Sequence, residues 1–353
     1  MNKFPFLTVL FLFLGLSPLM SQDNIFTQQF AIPVKLNPSL TGAYDGRYRV
    51  STIYRDQWSN LVENPFKAFG LGLDLRFQLG SDRGFNKDAI AFGLLFQSDK
   101  AGPLDFSNNQ LNLTGAFHKA LDEFNTHVIS AGFDFGIIQR NINYENIYFQ
   151  DQFNGELDFI LPTLEFLPTN NFVFGDLGVG LHYAYNEPKL GGFYAGLSVG
   201  HLLMPQISFF KKDPNSSLSD VSDSKLNRRF TGYIGGWLPL SQSLELIPRV
   251  IISNQGHAFL GTIGSNLKFG LNNYNNAAMH VGLYSRVNKN LEKYTMESIV
   301  GFVGFEYSNF NVGVSLDFNI NGRQTYQRNQ NALEISMSYY GAYEDENEMC
   351  PKF

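Results

Sequence analysis

One stretch of the chain, Phe69–Gln78, alternates strictly between bulky apolar residues and small or polar ones. The apolar members are Phe69, Leu71, Leu73, Leu75 and Phe77, and the intervening members are Gly70, Gly72, Asp74, Arg76 and Gln78. Because a β-strand sends alternate side chains to opposite faces, one face of this strand is continuously apolar. That face could cover the core of a soluble sandwich, or it could meet lipid in a membrane barrel whose polar face lines a wet lumen.

The same alternation recurs along the chain and predicts an all-β fold of about 14 strands. The predicted strands are 47–55, 68–79, 88–97, 107–118, 127–139, 172–185, 191–203, 227–238, 243–252, 257–269, 277–286, 296–307, 310–319 and 331–340. Strands of soluble proteins usually run ~5–6 residues, whereas a tilted strand needs ~9–11 residues to cross a bilayer. The predicted lengths therefore favour a transmembrane antiparallel β-barrel.

The lengths of the connections favour the same fold. The two longest, 140–171 and 204–226, both follow odd-numbered strands, and no connection after an even-numbered strand is longer than 80–87. Outer-membrane barrels have short periplasmic turns and longer outer loops, and an even number of strands places both chain ends in the periplasm. The topology of a soluble sandwich gives no reason why long connections should follow only odd-numbered strands.

Composition excludes one class of partner and leaves the fold open. The chain has 353 residues, a formal net charge of -6 and 15% aromatic residues. This acidity argues against nucleic acid as a partner. The aromatic content suits the interface girdles of a membrane barrel, but it also suits an aromatic-rich soluble β-protein. The single cysteine, Cys350, excludes an internal disulfide.

Four regions are predicted along the chain. Residues 1–21 are a secretory signal peptide, because a basic residue precedes an apolar run and a small residue follows it. A membrane anchor helix is the alternative, although the run is short of the ~20 residues that span a bilayer. Residues 22–46 are an irregular N-terminal segment, either periplasmic or a plug in the lumen. Residues 47–340 form the outer-membrane barrel, and 341–353 form an acidic C-terminal tail.

Seven motifs, in order along the chain, resemble those of the PorP/SprF family of the Bacteroidetes type IX secretion system. They are Gln28–Phe30, Leu36–Gly42, Tyr54–Trp58, Asp99–Pro103, Ile147–Phe153, Gly196–Pro205 and Asn331–Ser336. The resemblance runs from about Gln28 to Tyr340. The last motif departs from the family pattern, because Ala332–Leu333 replaces an expected Ser-His pair. No role of that histidine carries over to this chain.

The resemblance implies an accessory barrel in the outer membrane of a Gram-negative (Bacteroidetes) cell. Such a barrel supports the export or surface attachment of a partner protein, notably a gliding adhesin with a type IX C-terminal sorting domain. The implied partners are that protein, other type IX secretion components and outer-membrane lipid. Strand patterns alone leave a FadL-like or porin-like channel for small or hydrophobic solutes as the alternative, and a soluble secreted β-protein as a weaker one.

Signatures of an enzyme or a cofactor site are lacking in the sequence. The six histidines are scattered singly, and no serine lies in a recognisable nucleophile elbow. Residues 151–158 carry oxygen donors around a glycine but lack the spacing of an EF-hand, so we interpret them as a solvated loop. We therefore expect no enzymatic activity, no cofactor and no metal.

Candidate site residues follow from the polar face of the strands and from the N-terminal motifs. Arg47, Arg49, Arg55 and Arg76 with Asp74 are predicted to form a lumen charge cluster that grips the N-terminal segment, or else to be ordinary lumen polarity. The predicted lumen-facing residues are Asp74, Arg76, Asp134, Asp317 and Glu334. The predicted partner or plug contacts are Asn37, Pro38, Gly42, Arg55, Gln57 and Trp58. For Trp58, a role as an interface aromatic is an alternative.

Overall fold

Fourteen antiparallel strands close into a single barrel. The computed structural model describes residues 23, 26–59, 62–79, 88–102, 104–145, 147–156, 158–165, 167–187, 189–209, 224–272, 276–289, 293–320 and 331–341. The strands are β1 (Tyr48–Gln57), β2 (Phe66–Leu79), β3 (Asp88–Ala101), β4 (Phe106–Ala120), β5 (His127–Asn141), β6 (Asn171–Glu187), β7 (Gly191–Gly200), β8 (Arg229–Ser241), β9 (Leu244–Gln255), β10 (Ala258–Asn272), β11 (Ala277–Lys289), β12 (Tyr294–Tyr307), β13 (Phe310–Asn319) and β14 (Asn331–Gly341).

Closure of the barrel leaves no strand at an edge. Each strand pairs with its neighbours in the sequence, and β1 pairs with β14 from Tyr48↔Gly341 to Gln57↔Ala332. Closed pairing satisfies the backbone groups that an open edge would expose. The all-β barrel of 14 strands predicted from the sequence is confirmed, and the soluble sandwich is excluded as its fold.

Strand lengths suit a membrane crossing. They range from 10 residues in β1 to 17 residues in β6, and a tilted strand needs about 9–11 to cross. Strand β3 extends four residues past its predicted end, to Ala101, whereas β7 stops short of its predicted end at residue 203. Strand β7 ends at Gly200 because His201 adopts a φ of 57°, which takes the chain out of the extended region.

Long connections gather at one end of the barrel. The segments 142–170 and 201–228 both follow odd-numbered strands, and no connection after an even-numbered strand exceeds 80–87. We call these two ends the long-loop end and the short-turn end. The sorting confirms the pattern expected of an outer-membrane barrel.

The two faces of the wall differ as the alternation predicts. On β2, Leu73, Leu75 and Phe77 are 40%, 49% and 44% exposed on the outside, whereas Asp74 and Arg76 are 1% and 7% exposed inside. Within the described part of the chain, no helix is long and apolar enough to cross a membrane.

An irregular stretch, residues 26–46, lies inside the barrel, and we call it the inner segment. Its short turns are 3₁₀ turns at Gln29–Ala31 and Pro38–Leu40 and a one-turn helix at Pro33–Leu36. Pro33 and Pro38 occupy first helical positions, where the missing N–H costs nothing. The Asn37 side chain caps the second 3₁₀ turn by accepting a hydrogen bond from Ser39 N at 2.9 Å. Outside the inner segment, a further 3₁₀ turn at Gln150–Gln152 lies in the connection between β5 and β6.

Two predicted regions cannot be placed on this fold. The predicted signal peptide, residues 1–21, lies outside the described residues, and so does the predicted acidic tail beyond Gly341. Both remain predictions.

A charge introduced on the outer face of a strand should be costly in a bilayer. Leu113 in β4 and Leu121 in the β4–β5 turn are each 57% exposed. We expect Leu113→Arg to lower the free energy of unfolding by about 2–4 kcal/mol and Leu121→Arg by about 0–1 kcal/mol, because only the first lies at the depth of hydrocarbon. Urea unfolding in lipid vesicles measures both values. Equal losses for the two variants would contradict a lipid-covered exterior.

Candidate functional site

Apolar side chains of the inner segment pack against strands β1 to β3. Phe26 and Ile32 form a buried cluster with Ile53 of β1 and Leu95 of β3. Gly70 of β2 lies beneath Ile32, and a Cβ added there would come within 2.8 Å of Ile32 Cδ1. The glycine on the polar face of this strand therefore leaves room for the inner segment.

On another part of the wall, the ring of Phe30 packs against β9, β11 and β12. It stacks on Tyr284 with a centroid distance of 6.2 Å and meets the Phe302 ring edge-on at 5.4 Å. The Arg249 guanidinium lies 4.4 Å from the centroid of the Phe30 ring. These contacts combine aromatic packing with a cation–π interaction, and they attach the inner segment to more than one side of the barrel.

Asn37 joins the inner segment to β6 and β7 and is 0% exposed. Its amide nitrogen donates to Leu181 O at 3.0 Å and to Leu197 O at 3.2 Å. Its carbonyl oxygen accepts hydrogen bonds from the backbone and hydroxyl of Ser39. An added Cβ at Gly180 would overlap Asn37 Oδ1. One side chain thus both shapes the turn and fixes it to two strands, a double role that aspartate could not fill because it has no N–H to donate.

Charged side chains of five residues gather in the lumen toward the long-loop end, and we call them the long-loop cluster. Its members are Arg55, Arg286, Glu297, Asp317 and Glu334. Arg286 lies 3.1 Å from Asp317 and 2.9 Å from Glu297, and Arg55 pairs with Asp317 and Glu334. Three carboxylates against two guanidiniums leave an excess of negative charge.

Backbone amides of the inner segment donate hydrogen bonds to one of these carboxylates. Glu334 is 0% exposed, and its carboxylate accepts from Thr27 N at 2.7 Å and from Gln28 N at 2.8 Å. The Thr27 hydroxyl donates to Asp317 at 2.7 Å. A buried carboxylate is stable only when such donors surround it. The inner segment therefore completes the long-loop cluster.

A second cluster, Arg49, Asp74 and Arg76, holds the inner segment near the short-turn end. Arg49 and Asp74 form a bidentate pair at 3.0 and 2.7 Å. Asp74 also accepts from Gly42 N at 2.7 Å, and Arg76 donates to Tyr44 O at 2.7 Å. Gly42 has a φ of 73°, a conformation that favours glycine. We call these three side chains the short-turn cluster.

The structure therefore separates residues that the sequence analysis placed in one cluster. Arg49 and Arg55 lie on the same strand six residues apart, which is about 20 Å along a strand, and they belong to different clusters. Arg47 belongs to neither, because its side chain is exposed and only its backbone takes part, with its carbonyl accepting from Arg76 N.

The first described residue, Asp23, is held by an ionic contact that the sequence analysis missed. Its carboxylate lies 2.6 Å from His201 and 2.7 Å from Arg229, and His201 also lies 2.6 Å from Asp176. Burial by itself lowers the pKa of His201, but the charge of Asp23 and the hydrogen bonds with Asp176 and Asp23 raise it to about 9. His201 is therefore protonated at neutral pH and bridges two carboxylates.

The remaining predicted residues occupy varied positions. Asp134 faces the lumen and accepts from Asn112 at 2.8 Å. Pro38 lies against Gly132 of β5, where an added Cβ would be 2.5 Å from the Pro38 carbonyl carbon. Gln57 accepts two hydrogen bonds from Arg55, at 3.1 and 3.0 Å, and so orients that guanidinium. Trp58 is 40% exposed at the long-loop end of β1.

A narrow cleft with a volume of about 20 Å³ lies between the inner segment and strands β8 and β9. Its lining includes Phe26, Lys35 and Leu36 from the inner segment and Arg229 from the wall. Burial and the nearby Arg229 lower the pKa of Lys35 to about 8. The Lys35 ammonium lies 4.5 Å from the centroid of the Phe26 ring. Among the described residues, no group of three or more His, Cys, Asp or Glu side chains could hold a metal ion.

Contacts of the inner segment explain the motifs found in the sequence. Two residues of the Gly196–Pro205 motif contact the N-terminal part of the chain. His201 contacts Asp23, and the Ser198 hydroxyl donates to the carbonyl of Leu36. Sequence reasoning missed Asp23, Asp176 and Arg286 because their partners are distant in the chain. The only signal for Arg286 was its place on the polar face of an alternating strand. For His201, the signal was its place in a motif.

The sequence of the chain matches a known family along most of its length. The profile of the family described as "Type IX secretion system membrane protein PorP/SprF" matches residues 19–339. Among solved structures, the chain is similar to the Pseudomonas putida toluene transporter TodX, with 10% identity and a TM-score of 0.48 over 92% of this chain and 99% of that chain. It is also similar to a Pseudomonas aeruginosa FadL homologue, with 8% identity and a TM-score of 0.49 over 86% and 92% of the two chains. No curated protein matches the sequence.

A methyl group at Gly180 should displace the inner segment. Gly180→Ala places a Cβ on Asn37 Oδ1, whereas a Cβ at Gly301 of β12 meets nothing within 4 Å. We expect Gly180→Ala to raise the ion conductance of the purified barrel in planar bilayers, because Asn37 can no longer bind β6 and β7. Gly301→Ala should conduct like the wild type. An unchanged conductance in Gly180→Ala would show that Asn37 does not hold the segment in place.

Removal of the Glu334 carboxylate should loosen the other end of the segment. Glu334→Ala leaves two backbone amides without their acceptor and weakens the pairing of Arg55, and we expect it to destabilise the fold by about 3–5 kcal/mol. The control is Ser51→Ala on the neighbouring strand, a fully buried hydroxyl without a hydrogen-bond partner among the described residues. Urea unfolding measures stability, and limited proteolysis measures release of the inner segment. Equal stability of the two variants would refute the role assigned to Glu334.

Proposed function

Because the chain belongs to the PorP/SprF family of type IX secretion system membrane proteins, we propose that it is a plugged, non-enzymatic barrel that supports the export or surface attachment of a partner protein. The family match confirms the resemblance identified from the motifs. The observation that carries the proposal is that residues 26–46 occupy the lumen and are anchored toward both ends of it. An exported protein would then use this barrel as an accessory, with its own route across the membrane elsewhere.

Anchoring at both ends supports this accessory role. The inner segment completes the long-loop cluster through Thr27 and Gln28 and the short-turn cluster through Gly42. Its removal would leave buried charges without donors, which is costly. In the plugged state the lumen is too occupied to pass a polypeptide, so the parts of the barrel left to contact a partner are its outer loops and its wall.

The rest of the proposal concerns place and partners. We place the barrel in the outer membrane of a Gram-negative cell of the Bacteroidetes, delivered there by a signal peptide at residues 1–21. Its partners are other type IX secretion components and a secreted or surface protein with a C-terminal sorting domain, a gliding adhesin being one case. The family match supports the assignment to the secretion system.

A channel for small or hydrophobic solutes is the second candidate function. The cleft beside Lys35 and Arg229 favours it, because apolar and cationic side chains line the same space. Ligand pockets typically have ≈ 300–1,000 Å³, whereas this cleft has a volume of about 20 Å³, so a solute would have to displace part of the inner segment. Solute uptake by liposomes that contain the purified barrel would favour this function over the accessory role.

Deletion of the gene tests the accessory role directly. We expect the deletion to remove at least one exported protein from the cell surface and wild-type complementation to restore it. The detergent-solubilised barrel should co-purify with the same protein. The surface proteome is measured by mass spectrometry after surface labelling, and a surface proteome left unchanged by the deletion would overturn the proposal.

A further inference from the structure

The connection between β5 and β6, residues 142–170, exposes large apolar side chains at the long-loop end. Leu164 is 93% exposed, Ile160 is 73% exposed and Tyr148 is 67% exposed. Scattered single apolar residues are ordinary on a surface, but a contiguous group marks a site of interaction. The rings of Tyr148, Phe153 and Phe159 are contiguous, with centroid distances of 5.5 and 5.3 Å to Phe159.

Internal hydrogen bonds give this loop a defined shape. Asp151 accepts from the Thr163 hydroxyl at 2.9 Å and from Leu164 N at 2.6 Å. Leu161 N donates to Gln152 O at 3.0 Å. At its base, Ile142 N donates to Asn170 O at 2.9 Å, which continues the β5–β6 pairing. Because these hydrogen bonds hold the described residues of the loop in place, binding through them costs less conformational entropy than binding through a loose segment.

The loop is also acidic along its whole length. Residues 142–170 contain five carboxylates and no Lys, Arg or His. The five are Glu145, Asp151, Glu156, Asp158 and Glu165, and all of them are exposed. We call residues 142–170 the acidic loop.

Charge decides between the possible occupants of this apolar surface. Anionic lipid head groups would be repelled by five carboxylates, so the apolar side chains are not placed for insertion into an acidic membrane surface. A second copy of the chain would bring five more carboxylates against the first five, and like charges placed in contact disfavour such an interface. A polypeptide that alternates cationic and apolar side chains fits both properties of the loop.

We propose that the acidic loop docks a cationic, apolar segment of the exported partner protein. The inference rests on the proposed accessory function and assigns that function a surface. The apolar side chains supply affinity, and the carboxylates select the sign of charge on the partner and speed its approach. Asp151 shapes the loop, so the docking contacts fall to the other four carboxylates and to the exposed apolar residues.

Peptide binding to the purified full-length barrel in a neutral detergent tests this inference. The probes are three fluorescent 12-residue peptides of about the span of a strand: alternating Lys and Leu, alternating Glu and Leu, and alternating Lys and Ser. We expect the Lys–Leu peptide to bind at least about tenfold more tightly than the other two, a difference of about 1.4 kcal/mol. Its affinity should fall as salt is raised, because charge contributes to it.

Two double variants and two matched controls locate the binding on the loop. Ile160→Ser with Leu164→Ser removes apolar contacts, and Glu156→Lys with Asp158→Lys reverses charge without touching Asp151. Each should weaken the Lys–Leu peptide by about tenfold or more. The controls lie at the short-turn end: Leu190→Ser, at a site 74% exposed, and Glu123→Lys, at an exposed site. Both should bind like the wild type.

The outcomes separate this inference from the proposed function. If the loop variants bind the Lys–Leu peptide as the wild type does, or if the Glu–Leu peptide binds equally well, the docking surface is wrong. Binding of the wild type, but not of the loop variants, to anionic vesicles would assign the loop to lipid instead. Loss of a dimer in the apolar double variant would assign it to a second copy. In cells, a deletion that strips the surface protein while both loop variants retain it would refute the docking surface and leave the proposed function standing.

Discussion

The buried carboxylates of Asp317 and Glu334 and the half-buried carboxylate of Glu297 share two guanidiniums in the lumen. They need further hydrogen-bond donors, and the backbone amides of Thr27 and Gln28 provide two of them to Glu334. A closed barrel removes strand edges but encloses charged side chains that water would otherwise solvate. Desolvated charges are stable only when paired and hydrogen-bonded. The inner segment is therefore part of the folded barrel, because the wall alone leaves the charge of Glu334 incompletely satisfied.

Close packing makes this arrangement specific. The glycines on the inward face of β2, β5 and β6 bring the wall within contact distance of Ile32, Pro38 and Asn37. A closely packed protein interior accepts only one arrangement of side chains and backbone. The motifs of the N-terminal segment and those of the strands thus contact one another in the folded barrel. Family membership relates the barrel to type IX secretion, and these contacts explain why its lumen is occupied.

Much of the fold could be predicted from single segments. Strand β2 was predicted at 68–79 and is observed at Phe66–Leu79, because alternation with a period of two is a local property of the backbone. The candidate site was harder. Arg55 and Arg49 share a face of β1, so the sequence could place both in the lumen but could not assign them to separate clusters. Asp23 and His201 are separated by 178 residues in the chain and meet only after closure.

The sequence by itself determined an all-β chain with one apolar and one polar face, enough strands to close and connections sorted by length. Each of these follows from neighbours along the chain and from how a strand orients its side chains. Only the tertiary structure decided that residues 26–46 lie inside the barrel and that Glu334 binds their amides. An irregular segment has no periodic pattern, so its position depends on cavities, charges and glycines contributed by strands that are distant in the chain.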